Sequence, residues 1–382
     1  MSKKEIVCGV VGALFGVAFL AVSCGQPSTS PTPPTGLTTT PAPPATSTPA
    51  PTRSVAAAPT TTAAPAPPNS TTPPPSNTVG PSLLGVWGTS DQNAYAVGND
   101  GTILHYDGKS WSFVTSNSTS YLHSVWGSSS SDIFAVGDGG AVLHYDGNEW
   151  NNIGVPTSNN LYSIWGSSAN NVLTAGSDGV ISRYSGQTWS ESGSDNSSAL
   201  FAIWGSSASN VFAVGVSGTI VYYDGTSWQP MFLPASAPGP TSNSTAPTPT
   251  TTPSFTPATP QGPRLTGVWG SSGNNVYSVG EGGTILHYNG SDWSYETSPV
   301  ATSLFAAWGT AGKDIFVTGD AGTILHYGGG SWTTMASGTG ANLRGIWGTS
   351  PDDVFAVGDN GTILHYDGTR WSPLPLPNAP AP

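Results

Sequence analysis

Tryptophan recurs along the chain in two interleaved series. Members of the first series are 39 residues apart, except for one step of 65, and the second series follows the first by 24 residues every time. The first series is Trp87, Trp126, Trp165, Trp204, Trp269, Trp308 and Trp347. The second is Trp111, Trp150, Trp189, Trp228, Trp293, Trp332 and Trp371. The chain therefore holds seven copies of one unit, and the long step marks an insertion between copies four and five.

Within each unit, short apolar runs separated by turn residues predict four strands, which we name A to D. Strand A has the pattern Leu-x-small-aliphatic-Trp, as from Leu83 to Trp87, and strand B has the pattern Val-Phe-Ala-Val-Gly. A two-residue hairpin is predicted between strands B and C. Strand C ends in an Asp-Gly or Asn-Gly pair in most copies, a strong hairpin signal because both residues accept a positive φ. Strand D carries the second Trp.

Four strands in about 40 residues are typical of a β-propeller blade. A β-helix would use shorter coils, and a β-sandwich would not need seven near-identical units. We therefore predict an all-β, seven-bladed propeller over residues 81–382, with four antiparallel strands per 39-residue blade. The Pro/Thr/Ser-rich stretch near 235–262 is predicted to be a disordered surface insertion.

The repeat Val-Trp-Gly-Ser-Ser…Val-Phe-Ala-Val-Gly-Asp-x-Gly-Thr-Ile-Leu-His-Tyr-Asp-Gly-x-x-Trp resembles the tandem propeller repeats of secreted bacterial proteins. It is similar to Asp-box (BNR) and photosystem-assembly-factor-like propellers, which place an Asp…Gly…Trp turn between the third and fourth strands. Asp107, Gly108 and Trp111 follow that order here. The resemblance covers residues 83–374. It implies that strand A is innermost and strand D outermost, with the ring closed by packing of the first blade against the last.

The N-terminus has the features of an export signal. Lys3 and Lys4 precede an apolar run over 6–22, and small residues lead directly to Cys24. This arrangement resembles the lipobox of bacterial lipoproteins, in which Cys24 would be diacylated and become the mature N-terminus. An uncleaved membrane anchor and an ordinary cleaved signal are the alternatives. We predict that 1–24 is a lipoprotein-type signal and that the chain is anchored to the extracytoplasmic face of a membrane.

Residues 25–80 are predicted to form a disordered tether. They contain 16 Pro, many Thr, Ser and Ala, and a single charged residue, Arg53. Such a segment cannot bury enough apolar surface to offset the entropy lost on ordering. Its Ser and Thr residues are either O-glycan acceptors or parts of a bare spacer.

Composition and charge narrow the function further. Only 8% of residues are charged, and 49 Gly and 35 Pro argue against long surface helices. The net charge of the chain is −12. Residues 1–80 have a charge of +2, from Lys3, Lys4 and Arg53 against Glu5, so the charge of residues 81–382 is −14. Because this charge repels phosphate backbones, we expect no nucleic-acid partner. We also expect a monomer without a cofactor.

The repeated Trp and the repeated His of strand C are candidates for sugar binding and metal binding, but their repetition in the blades argues against both functions. All seven copies keep both Trp, which packing between blades demands and sugar binding does not. The strand-C histidines are spread around a wide ring and cannot converge on one metal ion. They predict a hydrogen-bonding spacer, replaced in blades three and four by Arg183 and Tyr222. These histidines are His105, His144, His287, His326 and His365.

Six carboxylates are expected on one face, in the loops between strands B and C. They are Asp100, Asp138, Asp178, Glu281, Asp320 and Asp359. Asp is favoured in such turns for backbone reasons alone. A weak calcium site, or contact with a cationic partner, is the functional alternative.

One position breaks the repeat. Three residues before the first Trp, the residue differs in type around the ring, whereas a Leu before it and a small residue after it recur. The seven residues are Leu84, His123, Tyr162, Phe201, Thr266, Phe305 and Arg344. They are predicted to lie at the channel mouth on the side of the B–C loops, and are candidate ligand contacts. The alternative is drift at an exposed strand start.

No catalytic motif stands out. A sialidase-like site needs three arginines on one carboxylate, and only Arg344 is expected at the mouth, because Arg264 abuts the insertion. We therefore predict a non-catalytic, surface-tethered binding or scaffolding module that recognises an extracellular glycan or protein at the propeller face. A polysaccharide-acting hydrolase or lyase built on a propeller is the alternative.

Overall fold

The computed structural model describes residues 80–194, 196–234 and 262–377. It contains seven four-stranded sheets, each made of four consecutive antiparallel strands. The predicted seven-bladed propeller is therefore confirmed. Three predicted segments lie outside the described residues: the signal over 1–24 with Cys24, the tether over 25–80 and the insertion near 235–262. Only the last residue of the tether and the last residue of the insertion, Gly80 and Gly262, are described.

The strands fall into four equivalent sets. Strands A are β1 (Leu83–Ser90), β5 (Leu122–Ser129), β9 (Leu161–Ser168), β13 (Leu200–Ser207), β17 (Leu265–Ser272), β21 (Leu304–Gly309) and β25 (Leu343–Ser350). Strands B are β2 (Asn93–Gly98), β6 (Asp132–Gly137), β10 (Asn171–Gly176), β14 (Asn210–Gly215), β18 (Asn275–Gly280), β22 (Ile315–Gly319) and β26 (Asp353–Gly358). Strands C are β3 (Ile103–Tyr106), β7 (Val142–Tyr145), β11 (Ile181–Tyr184), β15 (Ile220–Tyr223), β19 (Ile285–Tyr288), β23 (Ile324–Tyr327) and β27 (Ile363–Tyr366). Strands D are β4 (Trp111–Val114), β8 (Trp150–Asn152), β12 (Trp189–Glu191), β16 (Trp228–Met231), β20 (Trp293–Tyr295), β24 (Trp332–Met335) and β28 (Trp371–Pro373).

Strand A is innermost in every blade, as the resemblance implied. Each strand A contacts strand A of the two neighbouring blades, and β25 contacts β1. The ring closes without a shared strand: side chains of blades one and seven form one buried cluster, and Gly361 N donates to the carbonyl of Pro81 at 2.8 Å.

The turns between strands B and C differ from the prediction. They are three-residue turns, not two-residue hairpins, and in each the N–H after the turn donates to the carbonyl of its first residue: Asn99–Gly101, Asp138–Gly140, Ser177–Gly179, Val216–Gly218, Glu281–Gly283, Asp320–Gly322 and Asp359–Gly361. The last two residues of each segment have positive φ, as in Asp100 at 53° and Gly101 at 68°. The Gly-x-x-Gly spacing accommodates the additional residue, which is why the pattern alone did not reveal it.

Both Trp series serve packing, as predicted. Six of the seven strand-D indoles are buried, and Trp189 is half-buried. All except Trp228 lie against an aromatic ring of strand B in the preceding blade, as Trp150 does against Tyr95 at 6.0 Å. Each strand-A indole lies over the Gly that follows Trp in the next blade. A Cβ on Gly166 would be 2.5 Å from Cη2 of Trp126. In these contacts, the Trp of each blade packs on the Gly of the following blade. The contact of Trp347 in blade seven with Gly88 in blade one closes the ring.

Four of the five strand-C histidines are hydrogen-bonded to the residue that begins strand B, whereas Nε2 of His326 lies 3.5 Å from Oδ1 of Asp314 without a hydrogen bond. Nε2 of His105 lies 2.7 Å from Oδ1 of Asn93, and Nε2 of His144 lies 2.7 Å from Oδ1 of Asp132. These Asn and Asp residues begin strand B, and each also bonds a hydroxyl four residues earlier, as Asn93 does with Thr89 at 2.8 Å. In blade four, Tyr222 takes the place of His and accepts from Asn210 at 3.0 Å.

Within residues 80–194, 196–234 and 262–377, no helix has the length and apolar character needed to cross a membrane.

Candidate binding face at the propeller mouth

The seven variable residues share one backbone feature. In every blade, Leu of strand A pairs with the last Gly of strand B, and the pairing then skips one residue, so that Leu83 faces Gly98 and Gly85 faces Val97. The skipped residue is the variable one in all seven sheets. A β-bulge leaves its residue outside the regular pairing and redirects its side chain. The variable position is thus the bulge of the innermost strand.

The residues flanking the bulge are restricted by close packing. The preceding Leu is fully buried in every blade. The following residue is small because the neighbouring innermost strand lies against it: a Cβ on Gly267 would be 2.7 Å from the carbonyl oxygen of Phe305. Where this residue is Ser, its hydroxyl accepts from the next blade, as Ser163 does from Ile203 N at 3.1 Å. Packing therefore fixes both neighbours and leaves the half-buried bulge residue free to vary.

The bulges and the three-residue turns share one face of the ring, which we call the mouth. The first N–H of each turn donates to the residue before strand A of its own blade, as Asp138 N does to Tyr121 at 2.9 Å. Side chains join the same two elements: Nε2 of His123 lies 2.7 Å from Oδ1 of Asp138. The predicted placement of the variable residues beside the B–C loops agrees with this geometry.

Three bulge residues of blades two to four form a continuous aromatic arc, consisting of His123, Tyr162 and Phe201. The ring centroids of His123 and Tyr162 are 5.3 Å apart in an edge-on arrangement, and those of Tyr162 and Phe201 are 5.3 Å apart and tilted. Separation and tilt suit favourable aromatic pairs. The arc is half-buried, so it combines defined packing with an accessible surface.

A cation–π pair lies at blades six and seven. The guanidinium carbon of Arg344 is 4.5 Å from the ring centroid of Phe305. The same guanidinium binds Asp359 through Nε at 3.1 Å and a terminal nitrogen at 2.9 Å. Burial would raise the pKa of Asp359, but hydrogen bonding and charge from Arg344, with help from Asn342, hold that pKa below its usual value. This carboxylate therefore stays ionised and occupies the arginine.

Arg264 also belongs to the mouth, which corrects the sequence interpretation. Its guanidinium carbon lies 3.9 Å from the ring centroid of Phe201. Arg264 precedes Leu265 directly, and its carbonyl accepts from Glu281 N at 2.9 Å. The residues two positions before each bulge form a second variable series on this face: Ser82, Tyr121, Asn160, Ala199, Arg264, Ser303 and Asn342. Comparing the repeats at that position would have found Arg264.

The remaining two bulge residues offer less. The Thr266 hydroxyl donates to the carbonyl of Leu304 at 2.5 Å, so backbone of the next blade occupies it. Leu84 is half-buried and apolar. Five of the seven predicted positions therefore bring aromatic or ionisable groups to the mouth.

The six carboxylates predicted on this face do not act as one set. Asp138 and Asp359 are paired with His123 and Arg344, while Asp100 accepts from the side chain of Asn99 at 3.0 Å. Asp178, Glu281 and Asp320 occupy the equivalent turns of other blades. Among the residues that the structure describes, no three His, Cys, Asp or Glu side chains are grouped as a metal site would require.

The opposite end of the innermost strands is uniform. Each copy ends in Gly followed by Ser or Thr, as Gly127 and Ser128 do, and the Ser or Thr hydroxyls bond the Asn or Asp that begins strand B in most blades. A further surface cavity of about 510 Å³ lies on the outer wall between blades two and three, beside Tyr184 and Trp189. Along the innermost strands, side-chain variety is therefore concentrated at the mouth.

Comparisons with known proteins identify the architecture. No protein-family model and no curated protein matches the chain. A solved structure of YCF48 bound to D1 peptide is 19% identical, with a TM-score of 0.57, over 76% of this chain and 92% of that chain. YCF48 from Cyanidioschyzon merolae is 14% identical, with a TM-score of 0.58, over 76% and 96%. The WD40 repeats of RRP9 are 10% identical, with a TM-score of 0.57, over 73% and 88%. At these identities the likeness shows that the chain shares the propeller fold with these proteins.

Proposed function

We propose that this chain is a non-catalytic, surface-tethered binding module that recognises a protein partner at the mouth. The observation that carries the proposal is the bulge: the one residue of the inner strand that packing leaves free is also the one that varies. Chemical variety at one position of otherwise copied innermost strands is what a specific contact surface requires.

The aromatic rings at the mouth pack against other side chains of the protein, which favours a protein ligand over a glycan ligand. A sugar ring stacks on an open aromatic face, but guanidinium groups lie over Phe201 and Phe305. His123 and Tyr162 pack edge-on against each other, and Asp138 occupies Nε2 of the histidine. What remains accessible is a mixed surface of ring edges and polar tips, which suits the side chains of a polypeptide.

One structural neighbour supports this choice. The YCF48 structure was solved with a D1 peptide, so a propeller of this architecture binds a polypeptide. The tether belongs to the proposal on sequence grounds: an apolar signal, Cys24 and a Pro-rich segment would hold the module at an extracytoplasmic membrane surface. A glycan ligand for this face remains the alternative.

The test uses the full chain and a partner captured by it from intact cells and identified. Replacing Tyr162 and Phe305 together by Ala should weaken that partner's affinity at least fivefold, about 1 kcal/mol, because both are half-buried aromatic side chains of the mouth. The control is Lys109→Ala, in the C–D turn, which should bind as the parent does. Undiminished binding by the double variant, with melting unchanged, would refute recognition at the mouth. Recovery of a polysaccharide in place of a protein would favour the alternative.

A further inference from the structure

Two arginines at the mouth lie over a Phe of the preceding blade, and they differ in one respect. Arg344, over Phe305, has a carboxylate partner in Asp359. Arg264, over Phe201 at 3.9 Å, forms no ion pair within 4.0 Å with any carboxylate that the structure describes. The guanidinium of Arg344 is therefore bound by a carboxylate of the same chain, whereas Arg264 makes the same stack on a Phe ring and is exposed without such a carboxylate.

The occupied stack indicates what the open one would bind. A guanidinium stacked on a ring keeps its N–H donors at its edges, where they match the two oxygens of a carboxylate. Asp359 uses this geometry with Nε and a terminal nitrogen of Arg344. Phe201 gives Arg264 equivalent support, and Glu281, which takes the turn position of Asp359 in that blade, forms no ion pair with it within 4.0 Å.

The surroundings restrict the source of the carboxylate. Residues 81–382 carry −14, so the propeller repels a polyanion as a whole. A single carboxylate on an otherwise neutral or basic partner avoids that repulsion. The aromatic arc starts at Phe201, within reach of an apolar group next to such a carboxylate. A polypeptide C-terminus that ends in an apolar residue has both features.

We propose that Arg264 is a carboxylate receptor that takes the C-terminal carboxylate of a partner polypeptide, whose last side chain contacts the aromatic arc. This inference rests on the proposed binding role of the mouth. It assigns Arg264 to ligand recognition and Arg344 to holding the mouth together.

The first experiment titrates the full chain, in non-ionic detergent, with N-acetylphenylalanine, and follows the arginine Nε–H resonances by NMR. The chain has only five arginines, so each signal can be assigned by substitution. The Arg264 signal should shift saturably while that of Arg344 stays in place. The matched probe, N-acetylphenylalanine amide, should bind about tenfold more weakly because it lacks the charge. Equal binding of acid and amide, or no response of Arg264, would overturn the proposal.

A second experiment creates a site. Asp359→Asn removes the internal carboxylate charge from Arg344, and the fold tolerates this residue because Asn99 holds the equivalent turn position in blade one. The variant should gain a second saturable response to N-acetylphenylalanine at Arg344, whereas Arg264→Gln should lose the response at the first site. Failure of Arg344 to respond in a folded Asp359→Asn variant would contradict the inference from the two stacks.

A third arm uses glucuronate, which carries a carboxylate on a sugar. Tighter binding of glucuronate than of N-acetylphenylalanine at Arg264 would refute the polypeptide source. These outcomes are separate from the proposed function: a partner that still depends on Tyr162 and Phe305 while Arg264 ignores carboxylates would leave recognition at the mouth intact and remove only the role of Arg264.

Discussion

The contact between Trp and Gly of successive blades makes the ring sensitive to a single methyl group. In the variant Gly166→Ala, the new Cβ would lie 2.5, 2.6 and 2.8 Å from Cη2, Cζ3 and Cζ2 of Trp126, where ordinary contacts are 3.4–4 Å. The indole would have to move by about 1 Å in a close-packed interface, and such overpacking costs about 1–3 kcal/mol. In a domain of this size, that loss lowers the melting temperature by about 3–10 °C.

The control is Gly154→Ala, in an exposed loop where a Cβ would meet no atom within 4 Å. Neither glycine has a positive φ, so backbone strain does not separate the two variants. Thermal unfolding followed by near-ultraviolet circular dichroism compares them under identical conditions. If Gly166→Ala melts with the parent, or if both variants fall equally, the proposed blade-to-blade contact does not limit stability.

Three further predictions follow from other parts of the chain. Cys24→Ser should release the protein from membranes on fractionation, whereas unchanged membrane association would indicate an uncleaved anchor. Deleting residues 237–260 should leave folding intact, since shortening the connection changes closure entropy by only about 1 kcal/mol; a melting temperature more than about 10 °C lower would contradict this. Burial lowers the pKa of His105 and His287, so the unfolded chain binds protons that the folded chain excludes, and stability should fall as pH drops through about 6.5. Replacing both by Tyr, which blade four uses as Tyr222, should reduce that loss in melting curves from pH 7.5 to 5; unchanged acid sensitivity would assign it to other groups.

The repeat made the fold predictable because one packing problem is solved seven times. Each copy needs a buried Leu at the start of strand A, a small residue where neighbouring innermost strands meet, and Trp at the interfaces between blades. These residues therefore recur at a fixed spacing in the sequence. Strand order and blade number follow from that spacing.

The site was predictable only in part. The variable series identified the bulge residues, but a bulge changes pairing without changing spacing, so the sequence did not show why that residue is free. Arg264 was missed because its contact is with Phe201 of the preceding blade, across the insertion. Arg344 pairs with Asp359, which begins a three-residue turn where the sequence pattern predicts a two-residue hairpin.

Site-specific photo-crosslinking tests recognition at the mouth most directly. A photoreactive amino acid replaces Tyr121, which is 47% exposed beside the aromatic arc, or Ser131, which is exposed in the A–B turn of the same blade on the opposite face. Both positions leave the bulge residues themselves unchanged. The account predicts a discrete protein adduct from position 121 and none from position 131 in intact cells. An adduct from position 131 alone would contradict it.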